Sequence, residues 1–207
     1  MTKIVFITSG QIDYKFSGID LYESIYLTAN GTKFPDIDKK GIPEIIAKAK
    51  KMEDKLFACI YTAPSKQCLS TAKIISKELG IKFKRDSNLV PLKFELKKLI
   101  SKREFQKLGD KKFDVLRKRY LAAFYSNQLS EPNTIIKTRS KNFIKRVKEE
   151  YPEQTILVVS HAYTIKLLSI YQKIGIKMFR DKKLLFKLFK PENEPMKRLE
   201  EITFVAI

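Results

Sequence analysis

The sequence predicts an α/β domain with a mostly parallel central sheet flanked by helices on both faces. Apolar runs of strand length recur at Lys3 to Ser9, Leu56 to Thr62 and Gln154 to Ser160. Segments with apolar residues at helical spacing separate them. Each run ends in a polar or glycine-containing turn, as a strand does when it feeds a crossover helix. In such a sheet ligands bind beyond the carboxyl ends of the strands, which singles out Thr8 to Gln11, Thr62 to Gln67 and Ser160 to Ala162.

The elements follow in order. Lys3 to Ser9 (KIVFITS) is β-branched and apolar, a buried strand stopped by Gly10. An irregular stretch with Gly18, Gly31 and Pro35 follows, and then a helix over Pro43 to Met52, with proline in its first turn. Leu56 to Thr62 is the second buried strand, and Pro64 opens an amphipathic helix to Leu79 that Gly80 closes as its C-terminal cap. Ile81 to Arg85 alternates like an edge strand, while Asn88 to Lys107 has no decisive period. Asp114 to Asn127 and Thr134 to Glu150 carry helical apolar stripes. Gln154 to Ser160 is the central strand, and His161 marks its passage into a helix running to Ile174. Glu201 to Ile207 alternates into a last strand, after a loop at Lys190 to Pro195. No repeat and no linker interrupts the chain, so residues 1–207 read as one domain.

With 43% hydrophobic and 11% aromatic residues in 207, the chain can bury a substantial core. No apolar run approaches the roughly 18 residues of a membrane span, and the amino terminus lacks a secretory pattern, so the expectation is a cytoplasmic protein without a membrane partner. Cys59 and Cys68 lack metal-ligand spacing and are expected to be reduced; neither a metal nor a cofactor is expected. The 42 Lys and Arg against 23 Asp and Glu give a formal charge of +19, which attracts nucleic acid, acidic lipid or phosphorylated metabolites. These basic residues are mostly dispersed lysines, as A/T-rich coding produces, and no recognition motif accompanies them, so nucleic acid is not the favoured partner.

The three strand ends read Thr8-Ser9-Gly10-Gln11, Thr62-Ala63-Pro64-Ser65-Lys66-Gln67-Cys68-Leu69-Ser70-Thr71-Ala72, and Ser160-His161-Ala162. In their order they resemble the histidine phosphatase, or phosphoglycerate-mutase-like, superfamily, whose strand ends read Arg-His-Gly-Glu/Gln, Ser-Ser-Pro-Leu-x-Arg-Ala-x-Gln-Thr-Ala and Ser-His-Gly. Lesser matches are Ile37 to Gly41 and the spacing of Glu131 and Arg139. The resemblance spans nearly the whole chain and implies a phosphoglycerate-mutase-like sheet. It further implies a phosphate pocket in which a first histidine is the nucleophile, two arginines and a second histidine hold phosphate oxygens, and a carboxylic acid protonates the leaving group.

This chain departs from that pattern at most of those positions. Thr8 stands at the first arginine, Ser9 at the nucleophile and Gln67 at the second arginine, while Pro91 falls near the acid, with Glu95 the nearest carboxylate. Only His161 matches, and it is the single histidine. A serine hydroxyl needs an adjacent base, and neutral donors hold phosphate about half as strongly as charged ones. The expectation is therefore a catalytically degenerate member, a binding or regulatory module for a phosphorylated small molecule or a protein partner. Ser9, Gly10, Gln11, Lys66, Gln67, His161 and Ala162 would line the ligand site, in a vestigial pocket of Thr8, Ser9, Gln67 and His161. The alternatives are an active phosphatase with altered chemistry, a Ser9/His161 hydrolase, and a basic scaffold that binds nucleic acid. Lys15, Lys66 and Lys93 are candidates to replace the lost arginine charge, and Cys68 lies near a helix start able to lower a thiol pKa, although a cysteine there is more often a helix-packing residue.

Overall fold

The computed structural model describes residues 1–14, 16–175 and 198–206. In chain order these form β1 (Thr2–Thr8), β2 (Ile12–Asp13), α1 (Leu21–Ala29), β3 (Asp36–Ile37), α2 (Ile42–Lys50), β4 (Phe57–Thr62), α3 (Lys66–Leu79) and β5 (Phe83–Arg85). There follow α4 (Leu96–Leu99), α5 (Lys102–Lys107), α6 (Lys112–Tyr125), α7 (Asn133–Glu150), β6 (Thr155–Ser160), α8 (Ala162–Ile174) and β7 (Glu201–Ala206).

Among the described residues five strands make the main sheet, in the order β5-β4-β6-β1-β7. The first four are parallel to one another, and β7 joins β1 antiparallel at the edge. Ile4, Val5, Phe6 and Ile7 are all fully buried. Successive strand side chains point to opposite faces, so both faces of the sheet are covered. The core joins β1, β4 and β6 to the apolar faces of α2 and α3 (Ile45, Ala72, Ile75) and of α7 and α8 (Phe143, Val147, Leu168).

Two smaller apolar clusters build a flank beside the sheet, and α6 links them. Leu116 packs with Tyr22, Ile25 and Phe105, while Tyr120 and Phe124 pack with Leu92, Ile136 and Leu167. This flank departs from the sequence expectation. The supposedly irregular stretch after β1 contains α1, started by Asp20, whose carboxylate accepts the Glu23 N–H at 2.9 Å. The undecided stretch 88–107 resolves into the short helices α4 and α5. The expected loop at 190–195 lies outside the described residues.

Gly80 shows why α3 stops where it does. It adopts φ +66°, and its N–H returns to the Ser76 carbonyl. A Cβ there would meet nothing within 4 Å, so strain at positive φ is the whole penalty for a larger residue. Gly80→Ala is expected to cost about 1 kcal/mol, measured by urea unfolding; an unchanged midpoint would show that the cap contributes nothing.

Candidate functional site

Parallel pairing of β1 with β6 sets Thr8 opposite Ser160. The next residues, Ser9 and His161, therefore leave the sheet side by side at its carboxyl edge. They open into a cavity of about 630 Å³ whose floor comprises Thr8, Ser9, Gly10, Gln11, Ser160, His161 and Ala162. The floor turn is held from below. Gly10 N–H donates to Thr71 Oγ1 at 3.1 Å, and Thr71 Oγ1 donates to the Gln67 carbonyl at 2.8 Å. Glycine is needed at this turn because a Cβ on Gly10 would lie 2.6 Å from Ile45 Cδ1 in the core.

The segment 89–91 forms the adjoining rim, pinned through its carbonyls. Ser160 Oγ donates to Leu89 O at 2.8 Å, while Thr164 Oγ1 and Arg139 Nη1 donate to Val90 O at 3.1 and 2.7 Å. Pro91 borders the cavity where the resemblance implies an acid. Glu95 does not substitute for it: it is exposed and paired with Lys98 at 3.0 Å. Among the described residues no carboxylate borders the cavity.

His161 shares a hydrogen bond of 2.8 Å between its Nε2 and Ser65 Oγ, with Cys68 Sγ 3.8 Å away. Burial, reinforced by the nearby Arg139 charge, lowers its pKa to about 4. The imidazole is therefore neutral at pH 7. Among the described residues no hydrogen bond joins it to Ser9, so the Ser9/His161 pairing is not formed; the serine on the imidazole is Ser65, which is fully buried. Cys68 is a packing cysteine in the core, and burial pushes its thiol up to about 12.

Thr8, Ser9, Gly10, Gln11, His161 and Ala162 line one cavity, whereas no residue of the Thr62 to Gln67 strand end does. Gln67 comes to the same edge but lies behind the floor, 2% exposed, with its Oε1 buried and without a hydrogen-bond partner. Neither lysine replaces the arginines. Lys66 turns to Asp36 at 3.2 Å and borders a separate groove, and Lys93 lies against Gly31. Lys15 lies outside the described residues.

Sequence reasoning missed the opposite wall. Phe94, Phe113, Leu116, Tyr120 and Tyr163 face the floor, and two cations, Arg117 and Arg198, border the cavity. Arg198 Nη1 donates to Gln11 Oε1 at 2.7 Å, and Gln11 Nε2 donates to Asp38 Oδ2 at 3.3 Å. Among the described residues no group of His, Cys, Asp and Glu is arranged to hold a metal, and no helix is long and apolar enough to cross a membrane.

Comparison with known proteins finds the same fold. The fold of Bacillus stearothermophilus YhfR is similar at 18% identity with a TM-score of 0.65, covering 98% of this chain and 90% of that one. So is that of mycobacterial glucosyl-3-phosphoglycerate phosphatase in complex with VO3, at 13% identity and a TM-score of 0.64, with coverage of 98% and 90%. A histidine-to-alanine mutant of Entamoeba histolytica phosphoserine phosphatase, in complex with phosphoserine, shares 17% identity with a TM-score of 0.57, with coverage of 99% and 91%. No curated protein matches by sequence. The family model of the histidine phosphatase superfamily (branch 1) matches residues 27–184, more than half of the chain, and this places the chain in that superfamily.

Proposed function

We propose that this chain binds a phosphorylated ligand in the His161 cavity without turning it over through a phosphohistidine. One observation carries the proposal: Ser9 occupies the floor position where the resemblance places the nucleophilic histidine, and the remaining histidine is neutral and already engaged by Ser65. A serine hydroxyl without a base is a poor nucleophile at neutral pH. The phosphoserine complex of the Entamoeba protein supports the binding half, because that ligand is held with a histidine removed. An active phosphatase with altered chemistry is the competing reading, favoured by the phosphatases among the structural neighbours.

Purified protein is expected to leave p-nitrophenyl phosphate and phosphoglycerates unhydrolysed and to form no acid-labile phosphoprotein. Phenyl phosphate is expected to raise the melting temperature, since a ligand of the native state alone stabilises by mass action. Turnover present in the native protein and lost in His161→Ala would establish the competing reading.

A further inference from the structure

We propose that Arg117 on α6 binds the ligand's anion, and that the ligand is a phosphate monoester of a planar, apolar alcohol; this rests on the phosphate-ligand reading above. Among the described residues the floor contains no cation, and Lys66 faces another groove. The charge available to an anion among the described residues lies on the far wall or the rim. Of the two described arginines there, Arg198 is already engaged by Gln11 Oε1 at 2.7 Å. Arg139 behind the rim is satisfied by Glu131 and the Val90 carbonyl.

Arg117 is different. Its Nε is buried and without a hydrogen-bond partner. Its ion pair is with Asp114 one helical turn back, at 3.5 Å, and Asp114 is 69% exposed. Such a surface pair holds a side chain weakly, whereas a buried N–H lacking an acceptor favours any anion that can reach it. The guanidinium fork suits a phosphate, with several donors in one plane. The chain folds around Arg117 in a way that also selects the rest of the ligand. Phe94 and Tyr120 lie edge to face with centroids 5.0 Å apart, Tyr120 and Tyr163 lie 4.8 Å apart, and Leu116 and Phe113 extend the wall. A flat apolar group fits against these rings better than an open-chain polyol does.

Calorimetric titration of the full chain with phenyl phosphate, glycerol 3-phosphate and benzoate tests the proposal. Phenyl phosphate is expected to bind tightest, by about tenfold over either of the others. Arg117→Met, which keeps the apolar stem, is expected to weaken phenyl phosphate about tenfold or more, and Arg117→Lys by less, as loss of one charge-assisted contact predicts. The melting temperature of unliganded Arg117→Met is expected to equal or exceed the native value; should Arg117→Met not fold, the Lys variant decides, and native affinity in it overturns the role of the fork. Phenyl phosphate binding unchanged in Arg117→Met would remove Arg117 from the site while leaving the phosphate-ligand reading standing. Equal binding of glycerol 3-phosphate or benzoate would overturn the ligand class. Failure of the native protein to bind any of the three would sink the phosphate-ligand reading and this proposal with it.

Discussion

Glu131→Ala is expected to destabilise the fold by about 3–5 kcal/mol, the range for removing one partner of a buried ion pair. Glu131 and Arg139 meet through Nε to Oε1 at 2.9 Å and Nη2 to Oε2 at 3.1 Å, with side chains only 10% and 9% exposed. Burial pushes the Glu131 carboxyl up against the pull of Arg139, and burial likewise pushes Arg139 down against the pull of Glu131. Desolvation therefore outweighs attraction on both partners, and the pair adds little over an apolar replacement. Breaking it is another matter, because alanine leaves a guanidinium buried without its counter-ion. The same guanidinium donates to Val90 O, so the damage reaches the rim at Pro91. The double variant Glu131→Leu with Arg139→Met is expected to recover most of the loss. Urea unfolding of the two single variants and the double variant checks this. A Glu131→Ala protein within 1 kcal/mol of native would mean that water or another acceptor reaches Arg139, contrary to its burial.

The central strands were legible in sequence because a sheet covered on both faces demands continuous apolar runs, and KIVFITS and TILVVS have no other use in a chain this charged. The site floor was legible for the same reason, since knowing where those runs stop locates Ser9 and His161. What lay beyond one element was not. Adjacent helix residues project about 100° apart, so Lys66 beside Gln67 carries no information about facing the ligand, and it faces Asp36 instead. Cys68 was near a helix start but inside the core, and burial outweighs the helix end. The antiparallel course of β7 depends on a path that no local pattern records. One miss had a readable signal: Asp20 three residues before Glu23, followed by Ile25 and Ala29, is a capped helix start with an apolar face. Arg117 had none. It was one of 42 basic residues until α6 was packed against the strand ends.

Lowering the pH from 7 to 4.5 is expected to cost the native protein roughly 2–3 kcal/mol of stability through His161 alone. The unfolded chain takes up the imidazole proton near pH 6.5, the folded chain only at about 4. Between those values the unfolded state holds more protons, so stability falls as pH falls, by about 1.4 kcal/mol per pH unit. The cause is burial first and the Arg139 charge second, and a protonated ring would also lose the option of accepting from Ser65 Oγ at 2.8 Å. His161 is the only histidine, so no other imidazole contributes. Carboxylates held below their usual range, such as Asp36 and Glu150, lose their contribution only at lower pH, while Glu131, pushed up, works in the opposite direction. Comparison with His161→Gln cancels all of these, because glutamine keeps a polar partner for Ser65 without a titrating group. The stability difference between native protein and variant, from urea unfolding at each pH, is expected to be constant above pH 7 and to shift by roughly 2–3 kcal/mol against the native protein by pH 4.5. Parallel curves down to pH 4.5 would show that the folded imidazole titrates normally, and with it that the cavity floor is wet enough to hold a charged histidine against an incoming anion.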